Sequence, residues 1–160
     1  MKTRARLDII DIEEGYCTNF LEEFRQYASV PDHSRDALLL SLLRTAVLKV
    51  QEFADRALVR CTVRQTARVP ENGVFELFLG GGEVTAVRVP SSAWETSWEA
   101  LEGKRLRISP TGLDAEVDFI ATPRVADMVE LKPTVFRYAT ALYDGEETDT
   151  LNRILLECLC

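Results

Sequence analysis

The sequence predicts an α+β fold: a mainly helical core with a small antiparallel β-sheet inserted between a long N-terminal helix and the C-terminal helices. Three observations predict it. Apolar residues recur every three or four positions from about residue 34 to 57, the spacing of a helix face. From Leu58 to about residue 121 the dominant period falls to two, with turn residues between short runs. Beyond Pro133 the helical spacing returns. The chain has 160 residues, 46% of them hydrophobic, which suits a single compact domain over 1–160. No internal repeat, linker or low-complexity segment interrupts it.

Residues 7–12, "LDIIDI", read as a short strand or an extended lead-in. A one-sided helix comes next over about 17–28, with Tyr16, Phe20, Phe24 and Tyr27 on its apolar side and Thr18 as N-cap. Pro31 disfavours helix in the residue before it. The strongest element is a helix over about 34–57, capped by Asp32 or Ser34. Leu39, Leu42, Leu43, Ala46, Val50, Phe53, Ala54 and Ala57 form its main stripe. Leu38, Leu40, Val47 and Leu48 widen that stripe until one neighbour cannot cover it.

The stretch "FADRALVRCTV", 53–63, passes from helix to strand at Leu58 or Val59 with no loop-forming residue between. Val59, Cys61 and Val63 take one face of that strand, and Arg60, Thr62 and Arg64 the other. "VPENG" is a turn. "VFELFL" and "EVTAVRV" read as two strands joined through Gly80, Gly81 and Gly82, the second ended by Pro90. Trp94, Trp98 and Leu101 have helical spacing, but "SWEALEGKRLRI" also reads as a hairpin closed at Glu102-Gly103-Lys104, which is the favoured reading. "DAEVDFIA" alternates, with Asp114, Glu116 and Asp118 on a face that must meet solvent or a basic partner. Helices are predicted over about 133–144, opened by Pro133 and ended by Gly145, and over 148–159, capped by Thr148 or Asp149. Leu151, Ile154, Leu155, Cys158 and Leu159 make the apolar face of the last.

Charge narrows the function. The formal net charge is −7, from 26 acids and 19 bases, the wrong sign for gripping phosphates. No signal-peptide core and no run of membrane-spanning length is present, so synthesis in the cytosol is expected. Cys17, Cys61, Cys158 and Cys160 lack metal-ligand spacing, and His33 is the single histidine. The cysteines therefore read as reduced thiols, and His33 as a surface or capping residue.

Other candidates weigh the same way. "LGGGEV" lacks the lysine and Ser/Thr of a phosphate loop and precedes a strand, so a hairpin turn is the better reading. Asp114, Glu116 and Asp118 lack the glycine of a calcium loop and keep the strand period. Trp94 and Trp98 can stack on a ligand, but packing under a loop is the commoner fate. Arg60, Arg64, Arg68 and Arg88 form a basic patch on the sheet suited to an acidic partner. The catalytic inventory is thin, and helical surface is in excess.

Four stretches in this order resemble the head–tail connector, or adaptor, proteins of long-tailed bacteriophages and prophages. They are "DHSRDALLLSLLRTAVLKVQEFADRALV", "VFELFLGGGEVTAVRV", "GKRLRISP" and "LKPTVFRYATALYDGE". The first carries Asp36, Leu38, Leu39, Phe53, Arg56, Ala57 and Leu58, and the likeness spans roughly 32–146. It implies a non-enzymatic structural protein without a cofactor. Such a protein assembles in the host cytoplasm, takes its place in the virion neck and forms a homo-oligomeric ring, twelve-fold on the portal. A downstream neck or tail protein docks below, and double-stranded DNA passes through the centre without sequence-specific binding. Leu38, Leu40, Val47, Arg56, Arg60, Arg64, Leu151, Ile154 and Leu155 are the interface residues expected on this reading. The alternatives are a small cytosolic enzyme or ligand-binding domain built around Trp94 and Trp98, and another neck protein such as a stopper or tail-completion factor.

Overall fold

The computed structural model describes residues 5–13, 15 and 20–159. Its class is α+β: four α-helices and two small antiparallel sheets among the described residues. The chain divides into two compact units. One takes residues 1–12 and 60–122; the other takes 13–59 and 123–160.

The first unit is built of strands. β1 (Arg6–Ile12), β2 (Cys61–Arg68), β7 (Asp114–Ala121) and β4 (Gly82–Arg88) form a four-stranded sheet in the order β1-β2-β7-β4. β3 (Val74–Glu76), β6 (Arg105–Ser109) and β5 (Ser97–Ala100) form a three-stranded sheet in the order β3-β6-β5. All pairings are antiparallel. On β2, Cys61, Val63, Gln65 and Ala67 are buried while Thr62, Arg64 and Thr66 are half-buried, so the period-two reading of this strand holds. β5 and β6 form the expected hairpin, with Gly103 at φ 73° in its turn.

The glycine run departs from expectation. β3 and β4 do not pair with each other; each joins a different sheet. Leu79, Gly80 and Gly81 take successive φ values of 58°, 78° and 73°, which swing the chain out of one sheet and into the other. Gly82 then lies so close to β7 that a Cβ there would meet the Ile120 carbonyl oxygen at 1.8 Å. A hairpin is the default expectation because strands adjacent in sequence usually pair. Here the side chain of Gln65, 1% exposed, holds the alternative. Its Nε2 donates to the Glu76 carbonyl at 2.8 Å, and its Oε1 accepts from the Phe78 N–H at 2.9 Å. A buried amide thus supplies hydrogen bonds that a β3–β4 hairpin would otherwise have supplied.

The second unit is helical: α1 (Leu21–Tyr27), α2 (Asp36–Ala54), α3 (Val125–Tyr143), α4 (Thr148–Leu156) and a 3₁₀ turn at Glu157–Leu159. α2 buries Leu39, Leu43, Ala46, Val47 and Val50, and α3 buries Leu131, Val135, Phe136, Tyr138 and Ala139. Each full burial of a large aliphatic chain is worth about 1.5–3 kcal/mol. Phe136 is the hub for α1: the rings of Phe20, Phe24 and Tyr27 lie 6.5, 5.7 and 5.6 Å from its centroid. These three share a side as their spacing predicts; Tyr16 and Thr18 lie outside the described residues.

Three boundaries move. α3 starts at Val125, eight residues before Pro133, which sits inside it. The carbonyl that Pro133 leaves without a donor belongs to Val129, whose residue is 68% exposed, so water can take the bond. Neither Asp32 nor Ser34 caps α2; Arg35 is the N-cap residue, and Asp32 Oδ1 instead accepts from the Ser34 N–H and Oγ at 3.0 and 2.6 Å. Likewise Glu147 precedes α4, without a side-chain cap from Thr148 or Asp149.

The joint at 53–63 also resolves. α2 ends at Ala54, and Asp55 takes the left-handed conformation at φ 55°. The Arg56 N–H bonds to the Gln51 carbonyl and the Asp55 N–H to that of Glu52, the paired bonds of a Schellman ending. Gln51 is 1% exposed, and its Oε1 accepts from the N–H groups of Leu58 and Val59 at 2.9 and 3.3 Å. The strand starts at Cys61, later than the alternation suggested.

Candidate interaction surfaces

The expected interface residues separate into three groups. Val47, Ile154 and Leu155 are 2%, 6% and 7% exposed and belong to the helical core. Their apolar surface is already spent within the chain, because α2, α3 and α4 pack on one another and α2 is covered on more than one side. Leu40 and Leu151 are half-buried. Leu38 is 46% exposed.

The arginines divide too. Arg56 Nη1 donates to Glu130 Oε2 at 2.9 Å and lies 3.7 Å from Asp127 Oδ1, so it ties the end of α2 to the first turns of α3. Arg64 and Arg88 are the basic partners that the acidic face of β7 required. Asp118, 8% exposed, accepts from Arg64 Nε at 2.9 Å, Arg64 Nη2 at 3.2 Å and Arg88 Nη2 at 3.1 Å. Glu116 lies 3.6 Å from each guanidinium. Register explains the cluster: Arg64 stands opposite Asp118 across β2–β7, and Arg88 opposite Glu116 across β4–β7. The Arg64 hydrogen bond, ahead of burial, holds the Asp118 carboxyl below the usual carboxylate range, and the same bond raises the Arg64 guanidinium. Arg64 and Arg88, half of the expected patch, are therefore neutralised inside their own sheet. Arg60 and Arg68 are exposed.

Surface that pattern reading missed is apolar. Trp94 is 77% exposed and Trp98 43%, rather than packed under a loop. Ser92 Oγ accepts from the Trp94 N–H and donates to its carbonyl, both at 3.0 Å, which braces that loop. Val125 and Val129, 76% and 68% exposed, stand one turn apart on α3. Extending the helical period backward through Pro133 would have found that pair.

His33 lies exposed on the surface, its Nδ1 3.3 Å from Asp36 Oδ2. Arg25, 5% exposed, reaches the same carboxylate at 2.5 Å and also pairs with Glu22. The Arg25 bond is the main cause that keeps the Asp36 carboxyl low. Cys61 is buried; Cys158 is half-buried, and burial pushes its thiol up. Cys17 and Cys160 lie outside the described residues. Among the described residues no group of three or more His, Cys, Asp and Glu side chains can hold a metal ion. No described helix is long and apolar enough to cross a membrane.

The sheet unit carries a cleft of about 370 Å³, lined by Gln65, Arg68, Asn72, Val74, Glu76, Phe78 and Arg105 among others. Trp98 borders a separate depression of about 260 Å³ with Ser97, Glu99, Arg107 and Ser109.

No family model matches the chain, and no curated protein does. Solved structures do. A chain in the neck of an empty gene transfer agent (GTA) particle, computed with C6 symmetry, is 21% identical with a TM-score of 0.59; the match covers 87% of this chain and 84% of that one. A chain in the neck of a native GTA particle, computed with C12 symmetry, is 17% identical with a TM-score of 0.56, over 96% and 94%. A chain in the virion of a native gene transfer agent particle is 21% identical with a TM-score of 0.61, over 86% and 84%. At these identities the likeness is one of fold. It agrees with the resemblance to head–tail connectors: the chain has the fold of chains from the neck and virion of a gene transfer agent particle.

Proposed function

We propose that this chain is a structural subunit of a phage-type neck, forming a closed homo-oligomeric ring that joins the portal of a DNA-filled head to the tail. The observation that carries the reading is the near full-length fold match to the neck chain computed with C12 symmetry. A second neck match, computed with C6 symmetry, supports rotational assembly as well. Identical subunits close such a ring through heterologous contacts, in which two different patches of each copy meet.

Charge fits the passage of DNA. The helical unit holds 15 of the 26 acids and nine of the 19 bases, which is six of the seven net negative charges. An acidic wall repels phosphate and lets a duplex slide without a grip. The role is structural rather than catalytic, and it requires neither metal nor cofactor. The subunit is made in the host cytoplasm, and it meets the portal on one side and the next neck or tail protein on the other.

The test is assembly. Light scattering of the purified chain, alone and with its portal, should give a particle with a six- or twelve-fold complement of subunits. Negative-stain images should show rings seated on portal. A chain that stays monomeric at high concentration and does not bind portal would overturn the proposal.

A further inference from the structure

Two features of opposite charge stand without an ion pair among the described residues. The first is the cleft of about 370 Å³ in the sheet unit. Arg68 and Arg105 both line it. Register sets Arg68 opposite Asp114 across β2–β7 and Arg105 opposite Glu76 across β3–β6, but among the described residues neither guanidinium closes an ion pair with the carboxylate it faces. Arg105 Nε donates only to a backbone carbonyl, that of Glu102, at 3.3 Å. Glu76 is the single carboxylate of the lining, against two guanidiniums. Pro70, Val74 and Phe78 add half-buried apolar surface between them. An open, partly apolar cleft with two guanidiniums that form no ion pair suits a carboxylate-bearing chain segment, because guanidinium binds carboxylate in a two-pronged geometry.

The second feature is the turn between α3 and α4. Asp144, Glu146, Glu147 and Asp149 are all exposed, and none forms an ion pair among the described residues. The backbone of this turn is fixed. The N–H groups of Asp144, Gly145 and Glu146 bond to the carbonyls of Thr140, Leu142 and Ala141 at 2.9, 3.1 and 2.9 Å, with Gly145 at φ 71°. Asp149 has a local role, since an acid in the first turn of α4 favours that helix. Asp144 has the opposite effect. It caps the C-terminal end of α3, the negative pole of the helix, and no basic residue stands in the last turn to offset it. A rigid, locally unfavourable acidic turn is what an electrostatic contact elsewhere would select.

We propose that the Arg68/Arg105 cleft of one copy seats the Asp144–Asp149 turn of the adjacent copy. This rests on the ring reading above and supplies its two different patches: a cationic cleft on the sheet unit and an acidic turn on the helical unit. Because every copy carries both, the contact propagates round a closed ring.

Two charge reversals test the pairing. One chain carries Arg68→Glu and Arg105→Glu; the other carries Asp144→Lys and Glu146→Lys. Each alone places like charges in every contact. Each is expected to weaken assembly, measured by light scattering at low salt, by at least about tenfold in concentration. Mixed in equal amounts they can alternate round an even-numbered ring with every contact complementary, and assembly should return. A single chain carrying all four changes should also assemble. Thermal melts establish that each variant is folded, and Arg68→Gln with Arg105→Gln should weaken assembly in the same direction but less. If either reversal assembles like the unaltered chain, or if both fail and the mixture does not recover, the pairing is overturned. If the unaltered chain itself forms no ring, with or without portal, the ring reading falls and the pairing falls with it.

Discussion

Gln51→Leu is the sharpest probe of how the C-terminal end of the long helix α2 is held. Gln51 Oε1 accepts two backbone N–H groups, from Leu58 at 2.9 Å and Val59 at 3.3 Å. Both residues are buried, at 1% and 0% exposure, so water cannot replace the lost acceptor. Leucine fills nearly the same volume, which isolates the hydrogen-bonding effect from a cavity. An unsatisfied buried donor costs about 1–3 kcal/mol. The longer bond to Val59 belongs at the low end, so the pair should cost about 2–4 kcal/mol. For a chain of this size that lowers the melting temperature by about 4–16 °C. Urea denaturation followed by helix circular dichroism measures it, with the m-value unchanged. Amide exchange adds a local readout: the Leu58 and Val59 protons should lose more protection than those in the middle of α2. A loss below about 0.5 kcal/mol, the usual range of a neutral surface change, would refute the reasoning.

Three further outcomes rest on the packing and charge described above. Gly82→Ala places a Cβ 1.8 Å from the Ile120 carbonyl oxygen and should cost more than about 3 kcal/mol, the top of the overpacking range. Gly80→Ala, at φ 78° with nothing within 4 Å, should cost only about 1 kcal/mol; equal effects in the two melts would contradict this. Phe136→Ala removes the ring that Phe20, Phe24 and Tyr27 meet and should cost about 3–5 kcal/mol, with near-ultraviolet dichroism reporting lost aromatic packing. Asp118 is depressed in the folded state, so its contribution is fully present above the ordinary carboxylate pKa and is lost as pH falls through the lower folded value. Asp118→Asn should therefore destabilise at pH 7 and flatten the stability decline below about pH 4; a parallel pair of stability–pH curves would count against it.

Much of this architecture was legible because periodicity is local. The change from helical spacing to alternation near Leu58 reflects which side chains face the core. The β5–β6 hairpin was legible because Gly103 marks its turn. What escaped was decided by partners distant in sequence. Asp55 takes a glycine-like conformation, and Gln51 reaches seven residues ahead to hold the chain, so the joint carries no glycine or proline signal. β4 leaves its sequence neighbour for β7, whose partner residues lie more than 25 positions ahead. Pro133 reads as a helix start because its missing N–H is costless there; its carbonyl partner lies on the exposed side, so the helix runs through it. Among the residues expected at an interface, Val47, Ile154 and Leu155 are buried in the core for a simple reason. An apolar helix face shows that something covers it, not whether the cover comes from the same chain. Trp94 and Trp98 show the converse, as aromatic residues whose commoner fate is packing but which are 77% and 43% exposed.

A ring of this chain in a phage-type neck is tested most directly by a single-particle reconstruction of tailed particles produced with this chain present. The expected result is density for a closed ring of its copies at the neck, twelve-fold on the portal, around an open channel. Particles whose neck contains no copy of the chain, or contains it as a single asymmetric subunit, would contradict it.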